Sequence, residues 1–149
     1  MPERPFEIAR EVDRLGAVMD AQGLWLAALA QPLRQSPDAV VAALSARVGS
    51  IGDNRLGGWV SYRASKAALN MTMKTLAIEH ARRWPDGVVA SLHPGTVATG
   101  LSEPFRSRVP PGKLFTPEVA AAHLLRVIDG LTPEDTGGFF AGDGSRITY

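Results

Sequence analysis

Apolar positions in this chain follow two different periods in turn. From Ile8 to Leu33 the residues Ile8, Val12, Leu15, Val18, Met19, Leu26, Leu29 and Leu33 recur mostly at the three- and four-residue spacing of helix faces. Gly16 and Gly23 weaken one unbroken helix. The pattern therefore predicts a short helix, then a longer one from about Asp13 or Asp20 to Leu33. Pro37-Asp38 marks a turn, and Ala39-Val40-Val41-Ala42-Ala43-Leu44 is a brief, almost wholly apolar run. Bounded by turn signals, it reads as a buried strand of a parallel sheet.

Ser45 to Trp59 holds four glycines, an Asp, an Asn and two serines, the composition of a loop at a strand's C-terminal end. Open α/β sheets place ligands at such ends. Helical spacing resumes with Ala64, Ala67, Ala68, Met71, Leu76 and Ile78, predicting a helix from Ser61 to about Trp84 that Pro85-Asp86-Gly87 stops. Val88 to Leu92 reads as a second strand. It runs into His93-Pro94-Gly95-Thr96-Val97-Ala98-Thr99-Gly100, where Pro and Gly fix a turn, and Thr hydroxyls with freed backbone N–H groups could hold an amide or a phosphate. Ser102 to Lys113 reads as a loop, either a mobile segment over a site or a plain surface loop. Thr116-Pro117-Glu118-Val119 is a helix start, with Thr116 as N-cap and Pro117 at the first helical position; that helix is expected to reach Gly130, and Gly138 to Ala141 to form a last strand. Alternation of helix and strand argues for a parallel α/β sheet in a single domain spanning residues 1–149.

Composition narrows the function class. The 149 residues are 45% hydrophobic and 21% charged, as in one soluble globular domain. A formal net charge of +1 gives no electrostatic argument for nucleic acid or an anionic membrane. Cysteine is absent, which excludes disulfides and thiolate metal sites and suits a reducing compartment. His80, His93 and His123 are too widely spaced for a metal-ligand pattern, so no metal is expected. The sequence offers no secretion signal and no apolar run long enough to span a bilayer, so a cytoplasmic location is expected.

Candidate chemistry sits in Ser61-Tyr62-Arg63-Ala64-Ser65-Lys66. Four residues apart on a helix, Tyr62 and Lys66 stack on one face. A nearby ammonium favours the phenolate, which would bring the phenol towards use as a general acid or base. Trp59, Phe105, Leu114 and Phe115 either line an apolar pocket or pack the core.

Tyr62-Arg63-Ala64-Ser65-Lys66 after a Gly-rich loop, and Pro94-Gly95-Thr96-Val97-Ala98-Thr99 after the next strand, resemble the C-terminal half of a short-chain dehydrogenase/reductase. The run from Gly49-Ser50-Ile51 through Asn70 is most similar to the C-factor and carbonyl-reductase subgroup. The resemblance implies a partial Rossmann-like, doubly wound parallel sheet with flanking helices that lacks the first strands. It implies an NAD or NADP cofactor and a small carbonyl or alcohol substrate. Tyr62 would exchange the proton at the substrate oxygen. Lys66 would lower the phenol's pKa and hold a ribose hydroxyl, and Pro94, Gly95, Thr96, Val97 and Thr99 would contact the nicotinamide end.

Departures from the family pattern carry consequences. The family places a hydroxyl near the tyrosine for the substrate carbonyl. Ser50 lies at the common spacing, twelve before Tyr62, but the subgroup's position, sixteen before, is Ala46; Ser45 and Ser50 are the available substitutes. Asp20 stands at the family's Asn position and, when ionised, accepts hydrogen bonds but donates none. The nineteen residues before Asp20 contain no counterpart of the Gly-rich turn and helix that bind the dinucleotide phosphates. A catalytically inactive fragment acting as an assembly partner is therefore the alternative expectation. Family members dimerise through helices that correspond to residues 20–33 and 61–84, so homo-oligomerisation is expected through these two.

Overall fold

The fold is taken from a computed structural model, which describes residues 38–149. The helices expected between Ile8 and Leu33, and Asp20 with them, lie outside the described residues. Strand β1 (Val40–Leu44) leads through a 3-10 turn at Arg47–Gly49 to helix α1 (Val60–Ala81) and strand β2 (Val88–His93). A short strand β3 (Thr96–Val97), a 3-10 segment at Glu103–Arg108 and strand β4 (Leu114–Phe115) follow. Helix α2 (Pro117–Asp129), a 3-10 turn at Pro133–Asp135 and strand β5 (Phe139–Ala141) complete the order.

β1, β2 and β5 form a parallel sheet with β2 in the centre, Val40 opposite Val88 and Ser91 opposite Phe139. Period-two alternation divides the central strand between two cores. Val88, Ala90 and Leu92 face α2, packing with Leu124 and Phe140, whereas Val89 faces α1 and packs with Leu69, Met73 and Ala77. Both faces of β2 are thus covered, which is why Val88-Val89-Ala90-Ser91-Leu92 can be almost wholly apolar. The fold class is α/β, as the alternation of elements requires.

Local chemistry sets the helix ends. Thr116 Oγ1 accepts from the Val119 N–H at 3.3 Å, with Pro117 in the first turn, so α2 starts where the motif places it. Before α1, Gly57 and Gly58 take positive φ, and Trp59 enters the helix from the left-handed region. α1 ends at Ala81 rather than near Trp84. The chain leaves the helix so that the Trp84 indole can close the core beneath α1, with Gly87 under its ring: a Cβ there would lie 1.9 Å from Trp84 Cε2. The expected loop from Ser102 to Lys113 contains the 3-10 segment, and β4 pairs in parallel with β3 to make a second, two-stranded sheet.

Candidate active site

Three elements converge at the C-terminal end of the main sheet: the end of β1, the first turns of α1 and the turn after β2. β1 continues its pairing one residue beyond its last, with Ser45 N–H donating to Leu92 O at 2.7 Å. The 3-10 turn brings Gly49 against α1 so closely that a Cβ would stand 2.7 Å from the Lys66 carbonyl carbon. Lys66 therefore lies directly over the end of β1, and its Nζ donates to Leu44 O at 3.0 Å. Arg63 braces the Gly-rich loop, its guanidinium donating to Gly57 O, Gly58 O and Val48 O. Sequence reasoning assigned Arg63 no such role.

Tyr62 lies one turn before Lys66 and is 42% exposed. Partial burial pushes its phenol above the usual tyrosine range, and burial pulls the Lys66 ammonium below the usual lysine range. The expected lowering of the phenol by Lys66 is not what this arrangement produces. The ammonium is directed at a backbone carbonyl, and desolvation is what shifts the phenol. The consequence is a phenol that stays neutral at neutral pH.

The candidate serines separate by their partners. Ser45 is buried and its Oγ donates to Asn70 Oδ1 at 2.6 Å, so its proton is committed. Ser50 is also buried, but its Oγ accepts from Asp53 N–H at 2.9 Å and keeps its own proton. Ala46 is a buried apolar residue at the subgroup's serine position. Arg47 pairs with Asp53 at 3.1 Å above this loop.

The turn after β2 also differs in detail from the expectation. Gly95 has φ of +79°, and a Cβ there would meet the Phe115 ring at 2.8 Å, so both conformation and space require glycine. Two of the N–H groups expected to be free are used internally: Ala98 N donates to Phe115 O at 2.8 Å, and Thr99 N to Val97 O at 2.9 Å. Phe115 stacks edge-on against His123, and Leu114 is 39% exposed. His93, unassigned from sequence, ends β2 with its Nδ1 buried and without a partner. Burial and then the Arg47 charge pull its pKa down to about 4, against the opposing pull of Asp143. Its place immediately before Pro94 was the available signal.

Among the described residues no cluster of His, Asp and Glu could hold a metal ion, and no helix is long and apolar enough to cross a membrane.

No family model matches the chain. Individual relatives do. The chain is 48% identical over 114 residues to 1-hydroxy-2-glutathionyl-2-methyl-3-butene dehydrogenase of Rhodococcus sp. (strain AD45), covering 74% of this chain and 47% of that protein. It is 37% identical over 118 residues to the C-signal protein of Myxococcus xanthus, covering 78% of this chain and 65% of that protein. Among solved structures, the NADPH-bound carbonyl reductase from chicken fatty liver superposes with a TM-score of 0.62 at 27% identity, over 74% of this chain and 42% of the other. The chain thus spans about half to two thirds of the length of these two relatives.

Proposed function

Because the chain belongs to the short-chain dehydrogenase/reductase family, we propose that it is an NAD(P)-dependent oxidoreductase that interconverts a small carbonyl compound and its alcohol. The observation that carries this reading is the placement of Tyr62 and Lys66 on the first turns of α1, with Lys66 Nζ anchored to Leu44 O at the end of β1. In the reductive direction the neutral Tyr62 phenol gives its proton to the substrate oxygen; in the reverse direction the phenolate takes it back. A nicotinamide cofactor, when bound, supplies or accepts the hydride. One of the three Lys66 N–H donors is used on Leu44 O, which leaves two for a ribose hydroxyl and for the phenolate that forms as the proton departs.

Pro94, Gly95, Thr96, Val97 and Thr99 would contact the nicotinamide end. The fit rests on a turn held rigid by Gly95 against Phe115, with threonine hydroxyls beside it. Ser50, whose proton is uncommitted, is the serine available to donate to the substrate oxygen, and Ser45 is not. The Rhodococcus relative is named for a hydroxy compound, which supports an alcohol as one member of the substrate pair. The cysteine-free composition supports cytoplasmic operation.

Titration with NADPH and with NADH, followed by nicotinamide fluorescence, tests this reading. Saturable binding of one is expected. Tyr62→Phe is then expected to lower turnover by about 10²- to 10⁴-fold with affinity nearly intact, and Lys66→Ala to weaken both. Failure of both cofactors to bind would refute the proposal for this chain.

A second reading is favoured by one feature: Ala46 occupies the subgroup's hydroxyl position, and loss of such a donor removes transition-state stabilisation of about 3–4 kcal/mol. On this reading the chain is a non-enzymatic assembly partner. It would fold and self-associate while binding neither cofactor.

A further inference from the structure

Ser45 and Asn70 form a buried polar pair where the end of β1 meets α1, and we propose that this pair is a positioning device for Lys66. The proposal rests on the reading of Tyr62 and Lys66 as the acid/base pair. Ser45 Oγ donates to Asn70 Oδ1 at 2.6 Å, and the two residues are 4% and 2% exposed. Asn70 stands one helical turn beyond Lys66 on the same side of α1. Ser45 directly follows Leu44, whose carbonyl oxygen accepts from Lys66 Nζ. Two successive residues of the β1 end therefore hold two successive turns of α1, like rungs of a ladder. Gly49, pressed against the Lys66 backbone, closes the third side.

The pair carries a cost. Asn70 Nδ2 is buried with no acceptor, and an amide donor in that state is destabilising. Its neighbours on the helix, Leu69 and Met73, are core residues, and an apolar side chain of similar shape would fill the place without an orphaned donor. The return is orientation. Apolar contacts such as those of Met73 and Ala77 tolerate a small slide or rotation of the helix, whereas a single short hydrogen bond does not. Holding the helix in one register keeps the Lys66 ammonium at Leu44 O and fixes its position relative to Tyr62. Ser45 thereby acts through another residue and is not itself catalytic.

Three variants test this: Ser45→Ala, Ser45→Thr, and the double variant Ser45→Ala/Asn70→Leu. The chain has three lysines, Lys66, Lys74 and Lys113, so the Lys66 ammonium can be titrated individually by NMR of its ε-carbon. The double variant is expected to unfold at or above the wild-type temperature. Its Lys66 titration should nevertheless move up, back towards the ordinary lysine range, and cofactor affinity should fall about tenfold or more. Ser45→Ala should move the titration the same way, and Ser45→Thr should restore it. An unchanged Lys66 titration in folded Ser45→Ala would overturn the proposal and leave the pair a packing feature. The titration needs no turnover, so it decides the positioning role even if the wild-type chain binds no cofactor and the enzymatic reading fails.

Discussion

His93 couples the ligand-facing end of the sheet to acidity. Its Nδ1 is buried without a partner, and its pKa stands at about 4 because burial, and then the Arg47 charge, penalise the imidazolium; Asp143 favours the charged form but does not prevail. An unfolded histidine titrates near ~6.5, so between these values the unfolded state binds more protons than the folded one. Stability from this group is complete above the unfolded value and is lost as pH falls through the folded one, amounting to about 3 kcal/mol at most. Asp135 and Asp143, held below the usual carboxylate range chiefly by hydrogen bonds from Thr132 and Ser145 respectively, lose their contributions at more acid pH. Urea denaturation near pH ~7 and near pH ~4.5 checks this: the wild type should lose stability across the interval, and His93→Gln should flatten that loss. Equal slopes for the two proteins would show that His93 is not responsible.

At the scale of elements, the site depends on how closely α1 approaches the loop after β1. The approach is possible because residue 49 has no side chain, a Cβ there lying 2.7 Å from the Lys66 backbone. Gly49→Ala must push α1 outward, and overpacking of this kind costs about 1–3 kcal/mol. The movement would also separate Lys66 Nζ from Leu44 O, so cofactor affinity should fall together with the urea midpoint. A stable Gly49→Ala protein with wild-type affinity would show that the contact relaxes elsewhere. Elements of this kind were legible in the sequence to different degrees. The two main strands were readable because a parallel sheet covered on both faces demands unbroken apolar runs, and α2 because Thr116 and Pro117 fix a helix start by local chemistry alone. The Tyr62 and Lys66 pair was readable because both members belong to one helix. β3 and β4 were not, since two-residue strands carry no period and pair across a loop. Nor was the role of Ser45, whose partner Asn70 is 25 residues away and is found only through the register of α1 on β1. The end of α1 was placed too late because Trp84 continues the apolar spacing although it is buried from outside the helix.

At the scale of the whole molecule, α1 presents an apolar stripe away from its own core. Ala64, Met71 and Ile78 lie seven residues apart, nearly two turns each, opposite the buried Leu69, Met73 and Ala77, and Met71 and Ile78 are 66% and 52% exposed. Among the described residues β1 pairs on one side only, with β2, and Leu44 at its end is 59% exposed. A helix face of this kind is self-complementary when two copies meet about a two-fold axis. We therefore expect association of two copies through α1, in keeping with the helix expected near residues 61–84; the companion helix near 20–33 lies outside the described residues. A specific interface buries about 1,200–2,000 Å² in total, and placing a charge at the centre of the stripe desolvates it without a partner. Met71→Lys and Ile78→Lys should each weaken association by about tenfold or more while leaving the thermal midpoint of the monomer nearly unchanged, because neither side chain packs in the core. Sedimentation velocity from about 1 to 100 μM, a range bracketing micromolar affinity, distinguishes the outcomes. A folded wild-type chain that stays monomeric throughout would remove the assembly reading. A dimer indifferent to both substitutions would move the interface from α1 to the open side of β1, where a proline introduced in place of Ala42, whose N–H points away from β2 in the register set by Val88 N–H to Ala39 O and Ser45 N–H to Leu92 O, should then dissociate it by taking away a backbone donor.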